Sequence, residues 1–407
     1  MESVEIRVRE LAKQMLKFNQ TDFVILPMGK YGNITKQILE EYGLKPRYCI
    51  DNYIYDNQDI YPLSNIQWGR DTIYLLAVSS ERLRWQFLPE LRKYVSDDRI
   101  IDIFRFMKNV DEICPKEQRQ KLDFLCVGFP KCGTTSLHDL LRSNDHIYLP
   151  KSKGKQTQFI ANVSEESHKY YLWHYPCEQL KNKIIGGIEP GYCFNYENVH
   201  QYYGKDIRLI FCMRNPVNAL FSWFKLRMRR VTRKEDCEYI KKYGKVSIAM
   251  FEEWYPSDFY RYLYVEYIKE YLKYYDRDQM MFILSEEMFK EPSKIMDEVQ
   301  NFIGLSKENS LECTSFPWSN QGNRVAKDYH SALAINGVIQ GIYANHIYDD
   351  GLQNKLFDLE ENIMKYTTTE YNEKLPDYLY EKIFDEYRES ISELEEIIGR
   401  SLDGIWY

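Results

Sequence analysis

The stretch Phe124–Leu137, FLCVGFPKCGTTSL, constrains this chain more than any other, because an apolar run stops abruptly in a loop holding Gly128, Pro130, Gly133 and two threonines. Phe124 to Val127 has strand character, and Thr134 to Arg142 places Leu137, Leu140 and Leu141 on one helical face. The pattern predicts a strand, a tight loop and a helix. Backbone N–H groups at such a helix start are unpaired and carry the positive end of the helix dipole, so a phosphate or sulfate is stabilised there without a metal.

Gly128 and Gly133 are separated by four residues, as in a nucleotide-binding loop, and Thr135 stands where a magnesium-binding hydroxyl would be. One position breaks that pattern: Thr134 occupies the place of the NTPase lysine, and the loop's own lysine is Lys131. This disfavours a γ-phosphate bridged by Mg²⁺ and leaves a nucleotide with a shorter 5′ chain. GFPKCGTTSL resembles the 5′-phosphosulfate loop of sulfotransferases that use 3′-phosphoadenosine 5′-phosphosulfate (PAPS), in which a lysine and a small residue precede GTT or GTS. The resemblance implies that Lys131, Cys132, Gly133, Thr134, Thr135 and Ser136 hold the 5′ end of PAPS, that 3′,5′-ADP leaves, and that no metal takes part.

Composition narrows the class further. With 407 residues, 44% hydrophobic and 28% charged, the chain can fill two domains. No run of about 18 apolar residues exists, and MESVEIRVRELAKQMLKF reads as a charged amphipathic helix rather than a signal peptide, so a soluble, cytoplasmic protein without a membrane span is expected. Nine cysteines without a CxxC pair argue for packed thiols over disulfides or zinc. The net charge of −7 disfavours nucleic acid as a partner. Charge is uneven, however: Lys205 to Lys234 carries nine Lys/Arg against one acid, whereas Asp349 to Glu396 carries fifteen acids against five bases. A basic segment inside an acidic protein suits a small polyanion.

Along the chain, residues 22–103 alternate strand and helix signals and predict a small parallel α/β unit, weakly similar to the Rossmann-like halves of some bacterial sugar-modifying enzymes. Its first turn carries Gly29 and Gly32, and Asp51 falls about 20 residues on, where a dinucleotide fold places a ribose-binding acid, but the third glycine is missing and the fingerprint fails. Residues 108–119 read as the connector. The expected organisation is a Rossmann-like α/β domain over 1–119 and, over 120–407, a P-loop-like parallel sheet flanked by helices. Lys151, Lys153 and Lys155, at every second position, either converge on an anion or point into water.

Farther on, KIIGGIEPGYCFNY reads as a short strand broken by Gly186, Gly187, Pro190 and Gly191, with Glu189 at the strand end. RLIFCMRNPVNALFSWFKLRMRR predicts a buried strand from Arg208 to Met213, Arg214 at its end, Pro216 opening a helix, and Ser222 two turns in. An Arg followed eight residues later by a Ser resembles the family's 3′-phosphate signature, which implies that Arg214 and Ser222 bind that phosphate. A guanidinium fork and a hydroxyl suit such a dianion on chemical grounds alone. FPWSNQGNRV, residues 316–325, resembles the late loop folding over PAPS and implies a role for Arg324, with the Gly322 backbone beside it. The resemblance covers roughly residues 122–407.

Sulfuryl transfer needs a cation at the bridging oxygen of the leaving group and a base for the acceptor hydroxyl. Lys131 is the expected cation. In the carbohydrate-modifying branch the base is the Glu of a Lys-Glu pair shortly before Phe-Phe, and the matching positions here are Lys155, Gln156 and Phe159. Glutamine cannot be a base. The next family motif reads Ile188, Glu189, Pro190, Gly191, Tyr192, so the carboxylate is expected to have moved to Glu189, with His138, His168 and His174 next in line. The resulting expectation is a PAPS-dependent sulfotransferase acting on a hydroxyl of a carbohydrate or lipid-linked glycan in polysaccharide modification. A sulfotransferase for a small hydrophobic alcohol or phenol, and a non-catalytic bisphosphate-nucleotide binder, are the alternatives. The tyrosine clusters YRYLYVEY and YLKYY are expected to be core more than sugar platform.

Overall fold

The computed structural model describes residues 4–51, 59–63, 68–69, 71–78, 81–96, 99–104, 110–151, 157–317, 323–343 and 349–407. The chain divides into two compact units, Met1–Glu112 and Ile113–Tyr407.

The first unit opens with helix α1 (Val4–Lys17), the amphipathic helix expected from the sequence, and continues through β1 (Phe23–Leu26), α2 (Lys30–Glu41), β2 (Tyr48–Ile50), β3 (Ile60–Tyr61), β4 (Ile73–Leu76), α3 (Glu81–Arg92) and β5 (Ile100–Asp102). The strands lie in the order β3-β2-β1-β4-β5 and every pairing is parallel. Alternation sorts β1 between two layers: Phe23 and Ile25 join Val8, Leu11 and Met15 of α1, whereas Val24 and Leu26 join Phe87, Leu88 and Leu91 of α3. The first turn explains its own residues. Asp51 is buried and accepts a hydrogen bond from the Met28 N–H at 2.9 Å, and a Cβ on Gly32 would lie 2.2 Å from the Pro27 carbonyl oxygen. Both positions therefore serve the turn's own geometry.

The second unit is built on five parallel strands, β6 (Phe124–Gly128), β7 (Ile147–Tyr148), β8 (Ile184–Ile188), β9 (Arg208–Met213) and β10 (Met280–Leu284), in the order β10-β9-β6-β8-β7. Residues 124–128 are all buried, as are Leu209 to Met213, which is why both read as unbroken apolar runs. Helix α4 (Thr134–Arg142) follows β6, α5 (Pro216–Arg230) follows β9, and α6 (Tyr264–Leu272) precedes β10. Arg324–Ala326 (β11) pairs antiparallel with Thr368–Glu370 (β12).

One expectation is corrected. The glycines at 186 and 187 do not break a strand; β8 runs through both. The reason lies on the neighbouring strand, because a Cβ on Gly186 would sit 2.1 Å from the Phe124 ring, so the glycine makes room for that ring within an intact ladder. The tyrosine clusters are core as expected, with Tyr262, Tyr264, Tyr267 and Tyr271 fully buried. Eight described cysteines are buried free thiols. Among the described residues no helix is long and apolar enough to cross a membrane.

Candidate active site

Parallel strands send all their carboxyl ends to one edge, and β8, β6 and β9 are consecutive in the sheet. Glu189 directly follows β8, the Lys131 loop follows β6, and Arg214 directly follows β9. Three of the expected site residues are thus delivered side by side, with Lys131 in the middle.

The central loop owes its shape to two residues in the left-handed region, Lys131 at φ 68° and Gly133 at φ 87°, which flank Cys132 and turn the chain into α4. Glycine suits this conformation; a lysine in it is strained, a condition found at functional sites when the surroundings impose it. A Cβ on Gly133 would also lie 2.4 Å from Cε of Met288, a movable side-chain end. Gly133→Ala is therefore expected to cost about 1–2 kcal/mol, mostly from the backbone. Thermal unfolding should show a midpoint lowered by about 2–8 °C. Cys132 is buried between the Pro130 carbonyl and the Tyr264 hydroxyl, each 3.5 Å from Sγ, and burial pushes its thiol up to about 12. It stays protonated and serves packing. Thr134 and Ser136 are buried at the start of α4, and Thr135 is half-buried beside them.

Tyr264 joins this loop to the next. Its hydroxyl, 3.5 Å from Cys132 Sγ, donates to the Arg214 carbonyl at 2.7 Å and accepts from the Arg214 N–H at 3.4 Å. The two expected anion cradles are therefore adjacent and mechanically linked. The turn after Arg214 is fixed by Asn215, whose side-chain oxygen caps α5 by accepting from the Asn218 N–H at 3.1 Å. Its amide donates to the Tyr380 hydroxyl at 2.8 Å and the Trp406 carbonyl at 3.2 Å, while Glu286 accepts from the Asn215 N–H and the Trp406 indole N–H.

The electrostatics of this corner are those of an anion site. The Lys131 ammonium is pushed down to about 8, first by burial and then by the charges of Arg214, Lys225 and Arg229 in that order. Lys225 is lowered by burial and by Arg214, and Arg229 by burial, Arg230 and Arg324 against the pull of Glu360 and Glu361. The basic tract sorts into two groups. Arg227 pairs with Asp236, Arg230 with Glu360 at 3.0 Å, and Arg233 with Asp258 at 3.9 Å, so these cations serve the fold. Among the described residues no carboxylate lies within ion-pair distance of Lys131, Arg214, Lys225 or Arg229. A cluster of mutually repelling, partly desolvated cations, unpaired among the described residues, is the electrostatic signature that suits a polyanion.

Ser222 sits half-buried on α5, and Lys225 and Arg229 fall three and seven residues beyond it, on the same helical face. Lys225 and Arg229 were not singled out from the sequence, although their spacing from Ser222 carried the signal. Arg324 lies in β11, where Nε donates to the Thr368 hydroxyl at 2.8 Å and Nη2 to the Thr368 carbonyl at 2.7 Å. Gly322, Lys153, Lys155 and Gln156 lie outside the described residues.

Glu189 is buried, and burial raises its carboxyl to about 8 despite hydrogen bonds accepted by Oε1 from the Thr157 N–H at 2.8 Å and hydroxyl at 2.9 Å. It thereby anchors the chain immediately after the segment containing Gln156. The histidines have structural partners: His138 is buried 2.9 Å from the Pro150 carbonyl, His168 meets the Tyr202 hydroxyl at 3.0 Å, and His174 packs against Tyr170 and Trp173.

Residues 121–329 match the family model of the sulfotransferase domain. The chain is 23% identical over 317 residues to the Mus musculus bifunctional heparan sulfate N-deacetylase/N-sulfotransferase 4, covering 73% of this chain and 33% of that protein. It is 22% identical over 187 residues to the Mus musculus heparan sulfate glucosamine 3-O-sulfotransferase 3B1, covering 45% of this chain and 46% of that one. The chain thus spans between a third and a half of the length of these two relatives. A sulfotransferase from Alicyclobacillus acidocaldarius of known structure superposes with a TM-score of 0.44 at 17% identity, covering 70% of this chain and 98% of that one.

Proposed function

The chain belongs to the sulfotransferase family, and from that premise we propose that its second unit transfers a sulfuryl group from PAPS to a hydroxyl of a carbohydrate acceptor. The observation that carries the reading is the cluster of Lys131, Arg214, Lys225 and Arg229, unpaired among the described residues and gathered beside a loop of helix-start N–H groups. PAPS supplies the activated sulfuryl group when bound. The chain's residues supply the rest: the α4 N-terminus with Thr134 and Thr135 receives the 5′-phosphate, and Arg214 and Ser222 receive the 3′-phosphate. Lys131 places an ammonium where negative charge grows on the leaving group. Most of the rate would come from this preorganised charge and from positioning. Glu189, at the β8 end of the same edge, takes the acceptor proton. The carbohydrate class rests on the heparan sulfate relatives, at low identity.

Calorimetry with 3′,5′-ADP and with ADP tests the donor half. Tighter binding of 3′,5′-ADP by about 10²- to 10⁴-fold is expected, since two charge-assisted contacts at about 1.5–3 kcal/mol each depend on the 3′-phosphate. Equal affinity for the two nucleotides would overturn the reading. Transfer of radiolabelled sulfate from PAPS to glycans, against phenols and sterols, tests the acceptor class.

A further inference from the structure

We propose that Lys225, reinforced by Arg229, completes the 3′-phosphate clamp from the helix that carries Ser222, whereas Arg324, expected from the sequence in the loop folding over PAPS, is held by its own ribbon. This rests on the donor assignment above and adds residues to it. Three observations carry it.

The first is register. Ser222, Lys225 and Arg229 follow one another at three and four residues on α5, so they form a single stripe about 10 Å long on one face. Long helical side chains lean toward the N-terminus, which here is the end carrying Pro216, just beyond Arg214. The stripe therefore points back at the phosphate site.

The second is commitment elsewhere. Arg324 spends Nε and Nη2 on Thr368 across the β11–β12 ribbon. Those two bonds use two directions of its donor fork and hold the guanidinium to its own ribbon. Lys225, by contrast, has an ammonium 5.0 Å from the Phe221 ring centre and no carboxylate at ion-pair distance among the described residues. A cation over a ring keeps its N–H donors available.

The third is the ranking of charges felt at Lys131, which falls from Arg214 to Lys225 to Arg229. Coulomb energy falls with separation, so all three cations lie within reach of the 5′ loop, with Arg214 acting most strongly. Lys225 is in turn lowered by burial and by the charge of Arg214, and Arg229 stands one helical turn beyond Lys225 on α5.

Affinity for 3′,5′-ADP and for 5′-AMP, which lacks the 3′-phosphate, separates the possibilities. Lys225→Gln should weaken 3′,5′-ADP by about 10- to 100-fold and leave 5′-AMP within about threefold, with Lys225→Arg restoring most of the loss. Arg229→Gln should give a smaller loss, about 3- to 10-fold, confined to the same nucleotide. Arg324→Gln should change the ratio of the two affinities less than about threefold. Thermal unfolding of each variant without nucleotide confirms folding. Equal weakening of both nucleotides by Lys225→Gln, or a larger selective loss in Arg324→Gln, would overturn the inference. Failure of the unaltered protein to prefer 3′,5′-ADP over 5′-AMP would instead overturn the donor assignment itself.

Discussion

Lys131→Ala should lose about 10³-fold in turnover while the nucleotide-free protein becomes more stable, the pairing expected of a preloaded cation. The loss follows from the role proposed for the ammonium, opposite the charge developing on the leaving group. The gain follows from the empty site, where burial and three like charges oppose protonation of Lys131. The pH dependence has a definite sign. In the folded chain the group titrates near 8, against an ordinary 10.5, so between those values the unfolded chain binds more protons. Stability of the unaltered protein therefore rises as pH climbs from about 8 to 10.5, and the alanine variant lacks that rise. Denaturant titrations at several pH values, with and without 3′,5′-ADP, measure this directly. A variant that turns over within tenfold of the parent would remove Lys131 from the chemistry.

Glu189→Gln is expected to lower turnover by about 10²- to 10⁴-fold, the range for a positioned base. The amide oxygen of the replacement can still accept from Thr157, so the anchor that Glu189 gives to the chain after residue 156 is kept and the proton acceptor alone is lost. Burial holds the carboxyl near 8 against an ordinary 4.5, so turnover of the parent should rise with pH through about 8. Over the same span the native state binds more protons than the unfolded chain, and stability falls as pH rises from about 4.5 to 8. Both dependences should vanish in the glutamine variant. If turnover and its pH profile were instead unchanged, Glu189 would be an anchor for Thr157, and the base would lie elsewhere.

Local sequence made some of this legible and long-range pairing hid the rest. The Lys131 loop and the Arg214 turn could be read because strand, turn residue and helix start lie within a dozen positions, and the structure sets them side by side through β6 and β9. The basic tract could not be sorted in the same way. Whether an arginine of that tract serves the fold or the site depends on Asp236, Asp258 and Glu360, acids whose approach the spacing within the tract does not reveal. Gly186 resembled a strand breaker because its reason, the Phe124 ring, lies on another strand. Tyr264 was legible as core and is core, but its hydroxyl reaches back across 132 residues to Cys132, a contact no periodicity encodes.

The Asn215 cap carries a temporal consequence. Trp406 supplies one of its partners, so the corner beside Arg214 is closed by a residue that follows Lys131 by 275 positions. At translation speeds of 5–20 residues per second, the ribosome needs roughly 14–55 s to cover that distance. For that interval the nascent chain already displays its lysine loop but lacks the tryptophan whose carbonyl accepts from Asn215 in the neighbouring turn.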